Sequence, residues 1–138
     1  MTNDRTERLL SEIGGLLAVD TAYPLEGTLL YAVLDRNLVA PSIFKDLGDH
    51  VVYRPPNLNT LGRALLDLWE AQDTDDRWRE IEYVVRGDTF EAEYTYPDEI
   101  DPDEEPLDRR DRVVARHFGD KPITYPPPTE EDSFLFEL

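Results

Sequence analysis

A chain of 138 residues, 40% of them hydrophobic, is long enough for one domain with a sizeable core and too short for two. Its net charge of −17 disfavours the polyanions, nucleic acid and anionic membrane, as partners. The absence of cysteine excludes disulfides, thiolate zinc sites and cysteine nucleophiles.

In chain order, Leu9, Leu10, Ile13, Leu16 and Leu17 fall at helical spacing and predict a first helix over residues 4–18. Thr2 or Asn3 would cap it, and Gly14 and Gly15 weaken its interior, so it relies on packing. Residues 28–34 (TLLYAVL) read as a strand apolar on both faces, hence central or covered. Residues 35–49 carry no clear period, and 51–54 (VVYR) read as a short second strand stopped by Pro55 and Pro56. These two strands are expected to pair across a long connection, in which Ile43 and Phe44 need something to pack against. A core helix follows over 58–72, with Leu58, Leu61, Leu65, Leu68 and Trp69 on one stripe and Asn57 or Asn59 as cap.

Residues 79–85 (REIEYVV) and 89–96 (TFEAEYTY) alternate strictly around Arg86-Gly87-Asp88, which predicts a β-hairpin. Ile81, Tyr83 and Val85 share one face with Phe90, Ala92, Tyr94 and Tyr96. Glu80, Glu82, Glu91 and Glu93 point the other way and make that face acidic and wet. A short helix is expected over 107–118, with Leu107, Val114 and Phe118 toward the sheet and Arg109, Arg110, Arg112 and Arg116 outward or onto the preceding loop. The resulting order, α-β-β-α-β-β-α, predicts a single α+β domain: an antiparallel β-sheet packed against helices, with residues 120–138 as an irregular, proline-rich C-terminal tail.

The charge is lopsided. Residues 1–66 hold eight acids against six bases, and residues 67–138 hold twenty-three acids against eight bases. Six carboxylates, Asp98, Glu99, Asp101, Asp103, Glu104 and Glu105, crowd into eight positions before Pro106. As a calcium loop this fails, because Pro106 stands where the turn glycine is needed. Paired-carboxylate hydrolysis needs one buried acid and one ionised acid at fixed separation, which exposed runs do not provide. Neither His50 nor His117 lies in a nucleophile motif, no phosphate-binding loop is present, and no cofactor is implied. Trp78, just before the hairpin, reads equally as a lid on the core or an exposed anchor. The start, MTNDRTERLL, lacks a signal-peptide pattern and no apolar run is long enough to span a bilayer, so a cytoplasmic protein is expected.

The run 66-LDLWEAQDTDDRWREIEYVVRGDTFEAEYTYPDEIDPDEEPLDRRDRVVARHFG-119 resembles the YezG-like immunity (antitoxin) family of bacterial polymorphic toxin systems. Leu66–Trp69, Trp78, Gly87–Phe90, Tyr94–Asp98 and the pair Arg109 and Arg110 carry the likeness. The resemblance implies an α+β protein, not an enzyme, that binds the catalytic C-terminal domain of a toxin and neutralises it inside the producing cell. Many such toxins are nucleases, whose active sites are positive because they hold phosphates.

Charge and resemblance together point to a docking surface made of Glu80, Glu82, Glu91, Glu93, Asp98, Glu99, Asp101, Asp103, Glu104 and Glu105, with Trp78 as anchor. Two rival readings are a divalent-metal-dependent enzyme using clustered carboxylates and a structural homo-oligomer in which Phe134–Phe136 exchange between copies.

Overall fold

The structure, a computed structural model, describes residues 4–72 and 74–125. The expected caps Thr2 and Asn3 and the apolar end Phe134–Phe136 lie outside the described residues.

Helix α1 (Asp4–Leu17) forms from the leucine stripe, burying Leu9, Ile13 and Leu17. Strand β1 (Thr28–Asp35) is almost wholly buried, as a run apolar on both faces requires. It does not pair with the strand at Val51. The intervening segment instead folds back at once as β2 (Leu38–Asp46), antiparallel to β1, and β3 (Val51–Arg54) then pairs with β2. The reversal at Arg36-Asn37 is tight, and Asn37 takes the left-handed conformation (φ 60°). Two features hide β2 from its sequence. Its turn has no glycine, and Pro41 sits in its interior. Proline fits there because β3 pairs only with the stretch from Ile43 to Asp46, leaving the earlier residues bonded on one side alone. Ile43 and Phe44 thus find their packing in the sheet itself, one on each face.

A π-helical turn (Leu58–Gly62) leads into α2 (Arg63–Glu70), with the Asn57 side chain accepting from the amides of Asn59 and Thr60 as cap. Strands β4 (Glu80–Arg86) and β5 (Thr89–Thr95) form the expected hairpin, turning at Gly87 (φ 62°), and β4 pairs with β1. After a 3₁₀ turn (Pro97–Glu99) comes α3 (Pro106–Phe118). Part of the expected irregular tail is ordered: β6 (Ile123–Thr124) runs parallel to β3.

The six strands therefore lie in the order β5-β4-β1-β2-β3-β6, antiparallel except for the last pair, and the α+β class holds with two strands more than expected. Helices α1 and α2 cover one face, where Ile13, Leu65, Leu68 and Trp69 meet Leu30, Leu34, Ile81 and Tyr83. Helix α3 covers the other face through a smaller cluster, Leu29, Phe44, Val51 and Val114. Leu107, expected against the sheet, is 64% exposed, and Val113 is buried beside Val114 instead.

Candidate functional site

Residues Glu80 and Glu82 do share a face, as alternation dictates, but that face is not wet. Strand β4 lies between β1 and β5, and α3 crosses over it, so each glutamate retains only 2% of its surface exposure. A carboxylate buried this deeply must find cations and donors. Arg109 reaches Glu80 with Nε at 2.6 Å and a terminal nitrogen at 2.7 Å, while the Tyr31 hydroxyl donates to the same carboxylate at 2.6 Å. Arg116 donates to both oxygens of Glu82 at 2.6 and 2.7 Å, and the His117 ring nitrogen lies 2.6 Å from it. The expectation that these two glutamates form a docking surface is corrected: they anchor α3 to the sheet.

Titration behaviour follows from this packing. Hydrogen bonding to Glu80 holds the Arg109 guanidinium above its usual range, and burial, reinforced by Glu80, raises the Tyr31 phenol. Burial works to raise Glu82, but His117 and Arg116 outweigh it and hold its carboxyl below the ordinary value.

Two further residues leave the expected surface. Glu104 is engaged within the chain, accepting from Arg112 Nε at 3.0 Å with Arg109 nearby at 3.7 Å. Trp78 is 4% exposed: its ring packs on Tyr94, centroids 5.1 Å apart, and its carbonyl accepts from the Trp69 indole at 2.7 Å. It is a core residue, not an anchor.

The other predicted acids remain at the surface. Glu91 and Glu93 are exposed on β5, which stands at the end of the strand order. Glu91 meets Arg86 at 3.3 Å. Asp98, Glu99, Asp101, Asp103 and Glu105 follow in the loop, which is built by its own turns. Glu99 accepts from the Tyr96 amide at 3.1 Å and Asp101 from the Asp103 amide at 2.9 Å. Among the described residues, Glu93, Asp98, Glu99, Asp101, Asp103 and Glu105 enter no ion pair. Thr95, one strand step beyond Glu93, borders an open depression that Glu99, Asp101 and Glu104 share with Arg109, Arg112 and Arg116 of α3. Beside it, between the loop and the sheet, lies a cleft of about 360 Å³ with Tyr31, Glu80 and Arg109 on its floor and Val33, Ile100 and Pro102 on its walls.

No three histidine, aspartate or glutamate side chains among the described residues stand close enough to hold a metal ion. His50 is at the surface beside Asp49, and no described helix is long and apolar enough to cross a membrane. Comparison with protein-family models and with curated proteins returned no match to this chain.

Sequence reasoning missed the buried network, although a signal for it was present. Glu80 and Glu82 are two apart in a strand, and Arg109 and Arg116 are seven apart in a helix; each spacing puts its pair on one face. Matching the two faces required knowing that α3 packs on β4.

Proposed function

We propose that the protein is a non-catalytic inhibitor that captures a cationic protein partner, and that the partner is a toxin domain acting on a polyanion. The family resemblance carried by Trp69, Trp78, Gly87, Phe90 and Arg109-Arg110 supports the toxin, and with it a place inside the toxin-producing cell. The observation that carries the reading is the unneutralised acid surface: six carboxylates, Glu93, Asp98, Glu99, Asp101, Asp103 and Glu105, exposed and without a cation of their own among the described residues. The neighbouring Glu80, Glu82 and Glu104 are excluded from docking, because the chain already spends their charge on α3.

This division makes physical sense for an inhibitor. Internal pairs hold α3 and the loop in place, and the unpaired rim presents a preformed negative field. Such a field chiefly accelerates association, toward about 10⁸–10⁹ M⁻¹s⁻¹ at low salt for strongly steered pairs. A basic active site shaped for phosphates is the complementary surface.

The test is a quadruple variant, Glu93→Gln, Asp101→Asn, Asp103→Asn and Glu105→Gln, with Glu104 left intact. Stopped-flow association is measured against a candidate cognate toxin domain with a basic active site, from low to physiological salt. Association is expected to slow by about tenfold or more at low salt and to lose most of its salt dependence. Unfolding free energy should stay within about 0.5 kcal/mol of the parent, since the substituted groups are exposed. Unchanged association rates and salt slope would remove the acid surface from the interface.

A further inference from the structure

On the opposite side of the sheet from α3 lies a charge of the other sign. Strand β2 alternates, so Lys45 shares with Ile43 the face covered by α1 and α2. Lys45 is 1% exposed. A buried ammonium needs close acceptors, and charge-assisted bonds of this kind run at about 2.7–2.9 Å. Lys45 Nζ has none: the carbonyls of Asp20 and Tyr23 lie 3.4 Å away and the Asp20 carboxylate 4.0 Å away.

The Asp20 carboxylate is committed elsewhere. Arg54 takes it with two hydrogen bonds, at 2.6 and 3.2 Å, and the Ala22 amide donates to it at 3.1 Å. One carboxylate thus serves two cations, and the locality carries a surplus of one positive charge in a chain of net −17. Burial, partly offset by Asp20, draws the Lys45 ammonium below its ordinary value, as expected of a cation short of acceptors.

Lys45 and Arg54 border a cleft of about 280 Å³, near the small end of ligand pockets at ~300–1,000 Å³. Its lining sets the apolar Leu16, Ile43 and Leu61 beside the polar Asn57 and Thr60, and Asp20 is the only acid among the described residues that line it. One surplus cation in a cleft with an apolar wall selects a monoanion with a hydrocarbon tail; a dianion would leave a negative charge unbalanced. We infer that this cleft binds a small amphipathic carboxylate, its carboxyl group against Lys45 and its tail along Leu16, Ile43 and Leu61. A carboxylate oxygen there would supply the short acceptor that the ammonium lacks. The inference is independent of the acidic surface and of any toxin.

The test titrates the full chain, labelled at leucine and isoleucine methyls, with acetate, hexanoate and phenylacetate, and with hexan-1-ol as the uncharged control. Hexanoate or phenylacetate should shift the methyls of Leu16, Ile43 and Leu61 saturably, and bind at least about tenfold more tightly than hexan-1-ol, as a charge-assisted bond predicts. Acetate, without the tail, should bind more weakly than either. In Lys45→Met the preference for the acid over the alcohol should vanish. The inference is overturned if no carboxylate gives saturable shifts at these methyls, or if hexan-1-ol binds as tightly as hexanoate. Should Lys45→Met fail to fold, the acid–alcohol comparison on the parent protein decides alone.

Discussion

Arg109, in the first turn of α3, clasps Glu80 at the start of β4 through two hydrogen bonds of 2.6 and 2.7 Å, with both side chains nearly out of water. Neither charge could stay there alone. Removing one therefore costs more than the pair contributes net, and the asymmetry can be measured.

Arg109→Met should destabilise the domain by about 3–5 kcal/mol in urea unfolding, because Glu80 is left buried without its cation. The triple variant Arg109→Met, Glu80→Met and Tyr31→Phe removes Glu80 together with the two side chains that donate to it and should recover most of that loss. A triple variant no more stable than Arg109→Met would mean that the pair itself, and not the orphaned charge, holds α3.

Acid should loosen the α3–sheet contact at Glu82 and, elsewhere in the domain, the Asp20–Arg54 and Asp46–Lys121 pairs. Glu82, Asp20 and Asp46 are each held below their ordinary carboxyl values, Glu82 by His117 and Arg116 against burial, Asp20 mainly by Arg54, and Asp46 mainly by Lys121. A carboxyl with a depressed folded value contributes stability that is complete above its unfolded pKa, about 4 for these groups, and drains away as pH falls through the folded value. The stability gap between the parent and Glu82→Gln should accordingly be widest near pH 7 and close on acidification below about pH 4. A gap constant across that range would show that Glu82 is not ionised in the folded protein.

The two adjacent glycines of α1 should respond oppositely to alanine. At Gly15 an added methyl meets nothing, so Gly15→Ala should stabilise by about 0.5–1 kcal/mol through helix propensity. At Gly14 it would stand 2.8 Å from the Tyr83 hydroxyl, which is held by its hydrogen bond to the Leu10 carbonyl. Gly14→Ala should therefore destabilise, and less so in a Tyr83→Phe background, where the nearest ring atom is 3.9 Å off. Equal effects in both backgrounds would rule out the hydroxyl as the obstacle.

Trp78→Ala should behave as a core substitution. Its ring packs on Tyr94 and is 4% exposed, so a loss of about 3–5 kcal/mol is expected in chemical unfolding. A fully stable Trp78→Ala protein would return this residue to the surface.

Within single elements, spacing alone was decisive. The leucine stripe of α1, the buried Leu61, Leu65, Leu68 and Trp69 (though not Leu58, which is exposed), the doubly apolar β1 and the β4–β5 hairpin follow from period and turn chemistry, because an element's own repeat fixes which side chains share a face. Strand β2 was illegible because its turn uses Asn37 instead of glycine and its interior admits Pro41, both permitted by neighbours that no local window contains.

The same limit governs the acids. Composition and order along the chain determined that the second half carries a large negative surplus and that Glu80, Glu82, Glu91 and Glu93 line one side of a hairpin. Only the tertiary fold, which brings Arg109, Arg116 and His117 of α3 onto Glu80 and Glu82, decided which of them are spent internally and which face water. A strand's alternation orients a carboxylate but does not say what lies above it, and burial, not sequence position, sets whether that charge must be answered within the chain.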